Sequence, residues 1–235
     1  MKKIFMFALG LAAVAATHAE DNKIETTIAS DFVSQYIWRG QDLGSVAVQP
    51  TLGIGWKGLS LTAWGSYGLV DKDDTKEFDL TLGYNIGGLN VGITDYWFNE
   101  GLERKGRYFK YKAHGTNHVF EANIGYDFGV ASIQWYTNFA GNDGVNKDGD
   151  RAYSSYVEVA APFRLAKVDW SAAVGAVPYA TDFYDTRGFA VTNISLKATK
   201  DIRVTDSFSI PIFGQVAANP RSQKAYLVVG FTLQP

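Results

Sequence analysis

Residues 46–56 read Val46-Ala47-Val48-Gln49-Pro50-Thr51-Leu52-Gly53-Ile54-Gly55-Trp56. Taken alternately, one set is Val46, Val48, Pro50, Leu52, Ile54 and Trp56; the other is Ala47, Gln49, Thr51, Gly53 and Gly55. Successive side chains of an extended chain point to opposite faces, so the stretch predicts a strand with one apolar and one small or polar face. The pattern returns from residue 78, where Phe78, Leu80, Leu82, Tyr84 and Ile86 alternate with Asp79, Thr81, Gly83 and Asn85. It returns again from residue 120, with Phe120, Ala122, Ile124, Tyr126 and Phe128 against Glu121, Asn123, Gly125 and Asp127. No stretch carries the i, i+3, i+4, i+7 spacing of an amphipathic helix. The chain reads as all-β.

About twelve strands are expected, near residues 24–38, 46–57, 59–70, 77–87, 89–98, 118–128, 130–140, 152–164, 167–178, 189–199, 207–216 and 224–233. Their connections fall into two kinds. Lys57-Gly58, Gly87-Gly88, Gly129 and Leu165-Ala166 mark tight turns. Between these lie longer polar segments at 39–45, 70–75, 99–117, 141–151, 179–188 and 217–223. Short and long connections in alternation are the layout of a transmembrane antiparallel up-and-down β-barrel. A soluble barrel or sandwich also alternates, so the character of each face decides between them. The polar faces are mostly Gly, Ser, Thr, Asn and Gln, and Asp95 is the one charge on the apolar faces. Large aromatics on the apolar faces sit toward strand ends. Tyr36, Trp38, Tyr67, Phe78, Trp97, Phe120, Phe139 and Tyr153 are expected at an outer belt; Trp56, Tyr84, Tyr126, Phe128, Phe163, Trp170, Phe208 and Phe231 at an inner one.

The N-terminus reads as an address. Lys2 and Lys3 precede an apolar run from Ile4 to Ala16, and Thr17-His18-Ala19 offers small residues for cleavage. This predicts a secretory signal peptide over residues 1–19 and a single barrel domain over 20–235, in the Gram-negative outer membrane. The composition agrees: 34 aromatics (6 Trp, 13 Tyr, 15 Phe) accompany only 20% charged residues among 235. The absence of Cys removes disulfides and thiolate chemistry, and 22 basic against 24 acidic residues give no electrostatic case for nucleic acid. Gly230-Phe231-Thr232-Leu233 is similar to the terminal strand that barrel insertion machinery recognises, although Gln234 and Pro235 stand where a terminal Phe is usual.

Ser34-Gln35-Tyr36-Ile37-Trp38-Arg39-Gly40, followed by Val48-Gln49-Pro50 and Trp64-Gly65-Ser66, resembles the TorF-type porins, small outer-membrane proteins with a Tyr-x-x-Arg-Gly, Gln-Pro, Trp-x-Ser progression. Glu77-Phe78-Asp79-Leu80 with Gly83-Tyr84 is similar to the segment that follows in that family. The resemblance covers residues 30–98 and implies a porin-shaped barrel; it names no solute.

Twelve strands lie between barrels filled by side chains and those enclosing a wide water channel. Parity assigns Asp31, Gln49, Trp64, Asp79, Glu121, Gln134, Tyr136, Tyr156, Glu158, Arg164, Lys197, Phe213 and Gln215 to the lumen. Acids outnumber bases there, which implies a weak cation preference unless Arg164 and Lys197 brace the barrel by pairing with them. The aromatics either stack on passing solutes or fill the lumen. The longest loop, 99–117, carries Arg104, Lys105, Arg107, Lys110 and Lys112 among Tyr108, Phe109 and Tyr111. It is expected as a constriction or as a surface that binds lipopolysaccharide phosphates. Asp143, Asn146, Asp148 and Asp150 do not fit the spacing of an EF-hand, whose final Glu is also lacking here; no metal or other cofactor is expected. After signal removal only His114 and His118 remain, without a nucleophile motif such as Gly-x-Ser-x-Gly, so no enzyme is expected. Two readings stay open. One is a channel for small hydrophilic solutes; the other is a plugged structural or binding barrel whose external loops contact lipopolysaccharide or other partners.

Overall fold

The computed structural model describes residues 8–9, 11–12, 23–71, 73–99, 107–112, 115–206 and 208–235. Most of the expected leader therefore lies outside the described residues; within it, Ala8–Leu9 pairs antiparallel with Leu11–Ala12. Among the described residues, twelve strands close a barrel. In chain order they are β1 (Glu25–Val33), β2 (Ala47–Trp56), β3 (Leu59–Gly68), β4 (Lys76–Ile86), β5 (Leu89–Asn99), β6 (His118–Asp127), β7 (Ser132–Gly141), β8 (Ser155–Leu165), β9 (Val168–Val177), β10 (Ala190–Arg203), β11 (Ser209–Asn219) and β12 (Lys224–Leu233). Each pairs antiparallel with its predecessor, and β12 returns to β1 through Gly230↔Val33 to Leu233↔Ser30. Closure gives every strand of the barrel sheet a neighbour on both sides.

The turns at one end are tight because their residues accept left-handed backbone. Lys57 and Gly58 have φ of 50° and 84°, and Gly87 and Gly88 have 55° and 90°. Two consecutive positive φ values make the hairpin turn whose twist matches that of the strands. The long connections gather at the opposite end.

Parity fixes what each face meets. In β2, Ala47, Gln49, Thr51 and Gly55 are buried while Leu52 and Trp56 are exposed. In β4, Glu77 and Asp79 are buried while Leu82, Tyr84 and Ile86 are exposed. The outer wall is thus a band of exposed Leu, Ile and Val, including Leu61, Ile93, Ile124, Val159, Ile194, Val216 and Leu227. The interior is polar with an aromatic cluster. Bulges between Phe120 and Glu121 and between Gly175 and Ala176 interrupt the strict alternation of β6 and β9.

Several expected boundaries shift by a few residues, the first strand's the furthest. The first strand, expected to run to residue 38, ends at Val33. Ser34 ties that end to the neighbouring strand: its N–H donates to the Val229 carbonyl and its hydroxyl accepts from the Val229 N–H, both at 2.9 Å. The chain then enters the barrel as a small hairpin, Tyr36–Trp38 against Gln41–Gly44. Tyr36 and Trp38, expected in the outer aromatic belt, are instead buried inside. The alternation is real, but the Arg39-Gly40 turn carries it into the lumen rather than up the wall.

Candidate functional site

The tip of this hairpin is a two-residue turn with φ of 50° at Arg39 and 77° at Gly40. Gly40 lies so close to the wall that a Cβ there would stand 1.8 Å from the Thr192 carbonyl oxygen. The Gly40 carbonyl accepts from Asn219 Nδ2 at 2.9 Å, which anchors the tip on β11. At the base, the Ser45 N–H and hydroxyl donate to the Asp74 carboxylate at 3.0 and 2.5 Å, and the Thr75 N–H donates to the Leu43 carbonyl at 2.9 Å.

Arg39 projects from the tip into a cage. Its Nη1 and Nη2 donate to Oε2 and Oε1 of Glu121 at 2.5 and 2.9 Å, a fork-to-fork pair. Nη1 also donates to the Tyr184 hydroxyl at 2.6 Å. The guanidinium carbon stands 4.4, 4.0 and 4.8 Å from the ring centroids of Trp38, Tyr136 and Tyr156, within cation–π range. Glu121 also accepts from the Tyr96 hydroxyl at 2.9 Å. Tyr184 arrives from a second inward loop, whose short 3-10 turn Asp182–Tyr184 is capped by the Thr181 side chain. Burial alone would lower the Arg39 pKa, but the Glu121 charge and hydrogen bond together with Tyr184 and Tyr96 more than offset it and raise it. Burial likewise raises Tyr36 and Tyr184; the Glu77 and Asp79 charges add to the rise at Tyr36, and Arg39 opposes it at Tyr184. Tyr36 donates to Glu77 Oε2 at 2.8 Å, so the hairpin is tied to β4 as well as to β6.

The sequence-predicted lumen residues lie at several depths. Glu121, Tyr136 and Tyr156 form the Arg39 cage, and Trp64 packs on Tyr36 with centroids 5.7 Å apart. Glu158 accepts from Tyr156 at 2.6 Å and from Asn193 at 3.3 Å. Gln49 donates to Ser66 at 3.3 Å, and Asp79 is buried with its Oδ1 lacking a hydrogen-bond partner. Asp31 accepts from Thr232 at 2.6 Å. Lys197 lies 3.8 Å over the Phe213 ring, and Gln134 and Gln215 are half-buried. Arg164 sits at the turn end, 3.5 Å from Asp169, with nearly half of its side chain exposed.

Tyr36, Trp38, Arg39, Glu77, Tyr96 and Tyr184 complete the cluster, and the residue-by-residue reading of the lumen omitted them. Parity carries a signal for Glu77 and Tyr96, which share a face with Asp79 and Thr94. Arg39 and Tyr184 lie in loops, for which alternation says nothing, and Tyr36 and Trp38 alternate but are assigned by it to the outer belt.

The loop expected as a constriction or as a surface for lipopolysaccharide phosphates lies, in its described part, on the exterior. Arg104 and Lys105 lie outside the described residues, while Arg107, Lys110 and Lys112 are exposed on a segment against the outer wall. There Tyr108 packs on Phe78 and Trp97, at 5.7 and 5.3 Å, and Tyr111 on His118 at 4.4 Å. Phe78 and Trp97 belong to outward-facing sets, so the described part of this loop covers the exterior rather than the lumen. It also accounts for Asp95. Beneath it, His118 Nδ1 meets Asp95 Oδ1 at 2.7 Å and Nε2 meets the Tyr108 carbonyl at 2.5 Å, with the His118 side chain fully buried. In the next loop, Asp143 accepts from Asn138, Gly144 and Ser154, and Asn146 accepts from the N–H groups of Asp148 and Asp150. These oxygens serve turns.

No protein-family model matches the chain, and no curated protein matches it. Among solved structures it is similar to the NanC porin in a rhombohedral crystal form, with 8% identity over 88% of this chain and 98% of that one and a TM-score of 0.46. It is also similar to Salmonella typhi OmpF in complex with daunomycin, with 10% identity over 91% of this chain and 98% of that one and a TM-score of 0.36.

Proposed function

We propose that the protein is an outer-membrane, porin-like channel for small hydrophilic solutes, narrowed in its outer half by its own first loop. The carrying observation is a closed barrel with an apolar exterior and a polar interior, crossed by a hairpin that is held at its tip by Arg39. A soluble protein rarely leaves so continuous an apolar band uncovered, whereas hydrocarbon accepts it. An exported chain cleaved after about Ala19 and inserted by the barrel machinery reaches that compartment. The resemblance to the TorF-type porins supports this reading, because Tyr36, Arg39 and Gly40 of the Tyr-x-x-Arg-Gly progression are residues of the inserted hairpin. Asp31, Glu77, Asp79, Glu121 and Glu158 face the interior against Arg39 and Lys197, which supports a weak preference for cations.

One observation favours the second reading, a plugged structural barrel. Tyr36, Trp38, Tyr96, Tyr156 and Tyr184 with Val119 and Val177 form a packed cluster inside the outer half. Planar-bilayer conductance decides between the two. The channel reading expects small, salt-dependent openings in the native protein and larger or more frequent ones in Glu121→Gln, which frees the hairpin tip. A barrel that inserts fully yet stays silent in both forms is a structural barrel. In a conducting protein, replacing Asp79 and Glu158 by Asn and Gln moves the reversal potential toward zero selectivity; an unmoved potential removes the cation preference.

A further inference from the structure

We propose that the outer wall carries a binding site for one phosphorylated, acylated glycolipid of the outer leaflet, of the lipid A type. The proposal rests on the outer-membrane reading and deepens it by naming a lipid and its place on the protein.

The site begins with a missing side chain. Gly65 points outward from β3 opposite Phe78, which in turn pairs with Trp97 on β5. Around that gap, Pro50, Tyr67, Phe78 and Trp97 form the apolar wall of a groove of about 320 Å³, whose lining also takes in Ser66, Lys76 and Glu77. This is the size of a small ligand pocket. Pro50 helps to open it, since a residue without an N–H interrupts the β2–β3 ladder, whose pairing skips from Val48↔Tyr67 to Thr51↔Trp64. The Trp97 indole N–H is buried without an acceptor, and a ligand ester or phosphate oxygen would supply one.

Charge marks the headgroup end. Lys76 lines the groove with its ammonium 5.5 Å from the Tyr67 ring, toward the loop end of β4. The segment carrying Arg107, Lys110 and Lys112 is fastened to the same wall by Tyr108, which packs on Phe78 and Trp97. All three cations are exposed, and residues 107–112 contain no acid. An apolar slot beside a basic strip at the external rim matches an acyl chain below a phosphorylated sugar. A zwitterionic phospholipid would use the slot and leave the strip unneutralised.

The test uses the purified full chain in detergent micelles, with native mass spectrometry to count bound lipid. The probes are bisphosphorylated lipid A, its dephosphorylated counterpart and phosphatidylethanolamine. Bisphosphorylated lipid A is expected to bind about tenfold or more tightly than either of the others, as expected where several cations act near a charged surface. The triple variant Arg107→Gln, Lys110→Gln, Lys112→Gln alters exposed side chains only and should bring lipid A down to its dephosphorylated counterpart. Gly65→Leu, which fills the gap, should weaken both lipid A forms together. Equal binding of the two lipid A forms by the native chain, or undiminished lipid A binding by the triple variant, overturns the proposal. Flotation with liposomes reads the membrane assignment separately. A chain that floats but shows no lipid A preference loses this site alone, whereas one that does not float loses the outer-membrane reading and the site with it.

Discussion

Arg39 is 9% exposed and Glu121 1%, so both charges of this pair have left water. Such a pair survives only if the geometry is good and the remaining donors and acceptors are satisfied; here Tyr96, Tyr184 and three ring faces do that. Removing one partner strands the other. Arg39→Ala or Glu121→Ala is expected to destabilise the barrel by about 3–5 kcal/mol, and the double variant Arg39→Leu, Glu121→Leu by clearly less than the sum. Urea unfolding in phospholipid vesicles measures all three, and additive losses would mean that the pair is not coupled. Gly40 is the second sensitive residue. Gly40→Ala meets the Thr192 carbonyl and a positive φ, so the tip must withdraw, at a cost of about 1–3 kcal/mol and with higher conductance. Parity alone placed Asp79, Glu121, Tyr136 and Tyr156 inside, but it did not bring Arg39 to them. That contact joins residues 82 positions apart, and the Tyr184 contact spans 145, and no local pattern encodes either.

The strands were legible because a barrel forces period two on every one of them, and the turns because Gly marks positive φ. The legibility fails where one pattern serves two structures. Tyr36 and Trp38 alternate as β1 would, yet belong to an inserted hairpin, and Tyr108 and Tyr111 sit in a loop that sequence cannot assign to the inside or the outside. One turn departs from the usual residues: Ala166 and Lys167 have φ of 52° and 63°. Replacing the pair by Asn-Gly suits that backbone and relieves a left-handed strain of about 1–2 kcal/mol per residue, partly offset by the extra freedom of Gly in the unfolded chain, so a higher urea midpoint is expected; no gain would mean that the turn relaxes at no cost. The inserted hairpin also has a pH signature. The two groups that donate its hydrogen bonds, the Tyr36 hydroxyl and the Arg39 guanidinium, both have raised pKa values, so their protonated forms persist through the ordinary tyrosine range, about pH 10. Conductance should therefore hold steady from neutral pH to about pH 10 and rise beyond. A rise already near pH 9 would mean that these contacts do not hold the hairpin.

At the scale of the whole molecule, the two surfaces of one sheet meet different solvents, and a single substitution read at two depths tests which. Leu82 is half exposed on the outer face within β4, and Ile86 is exposed on the same face beside the Gly87-Gly88 turn. In a bilayer, arginine on the lipid face costs about 2–4 kcal/mol at the midplane and about 0–1 near the interface. Leu82→Arg is therefore expected to lower unfolding free energy in phospholipid vesicles by about 2 kcal/mol or more, and Ile86→Arg by less than about 1. On a water-facing surface both changes would stay within about 0.5 kcal/mol, since neither side chain fills a core. The contrast isolates the solvent from the fold, because both positions lie on one strand and one face. A flat result across the two depths would place the apolar band against water or another protein, and the channel reading would fall with it. A steep one would put hydrocarbon around the barrel, as both the channel and the plugged barrel require, and leave conductance to separate those two.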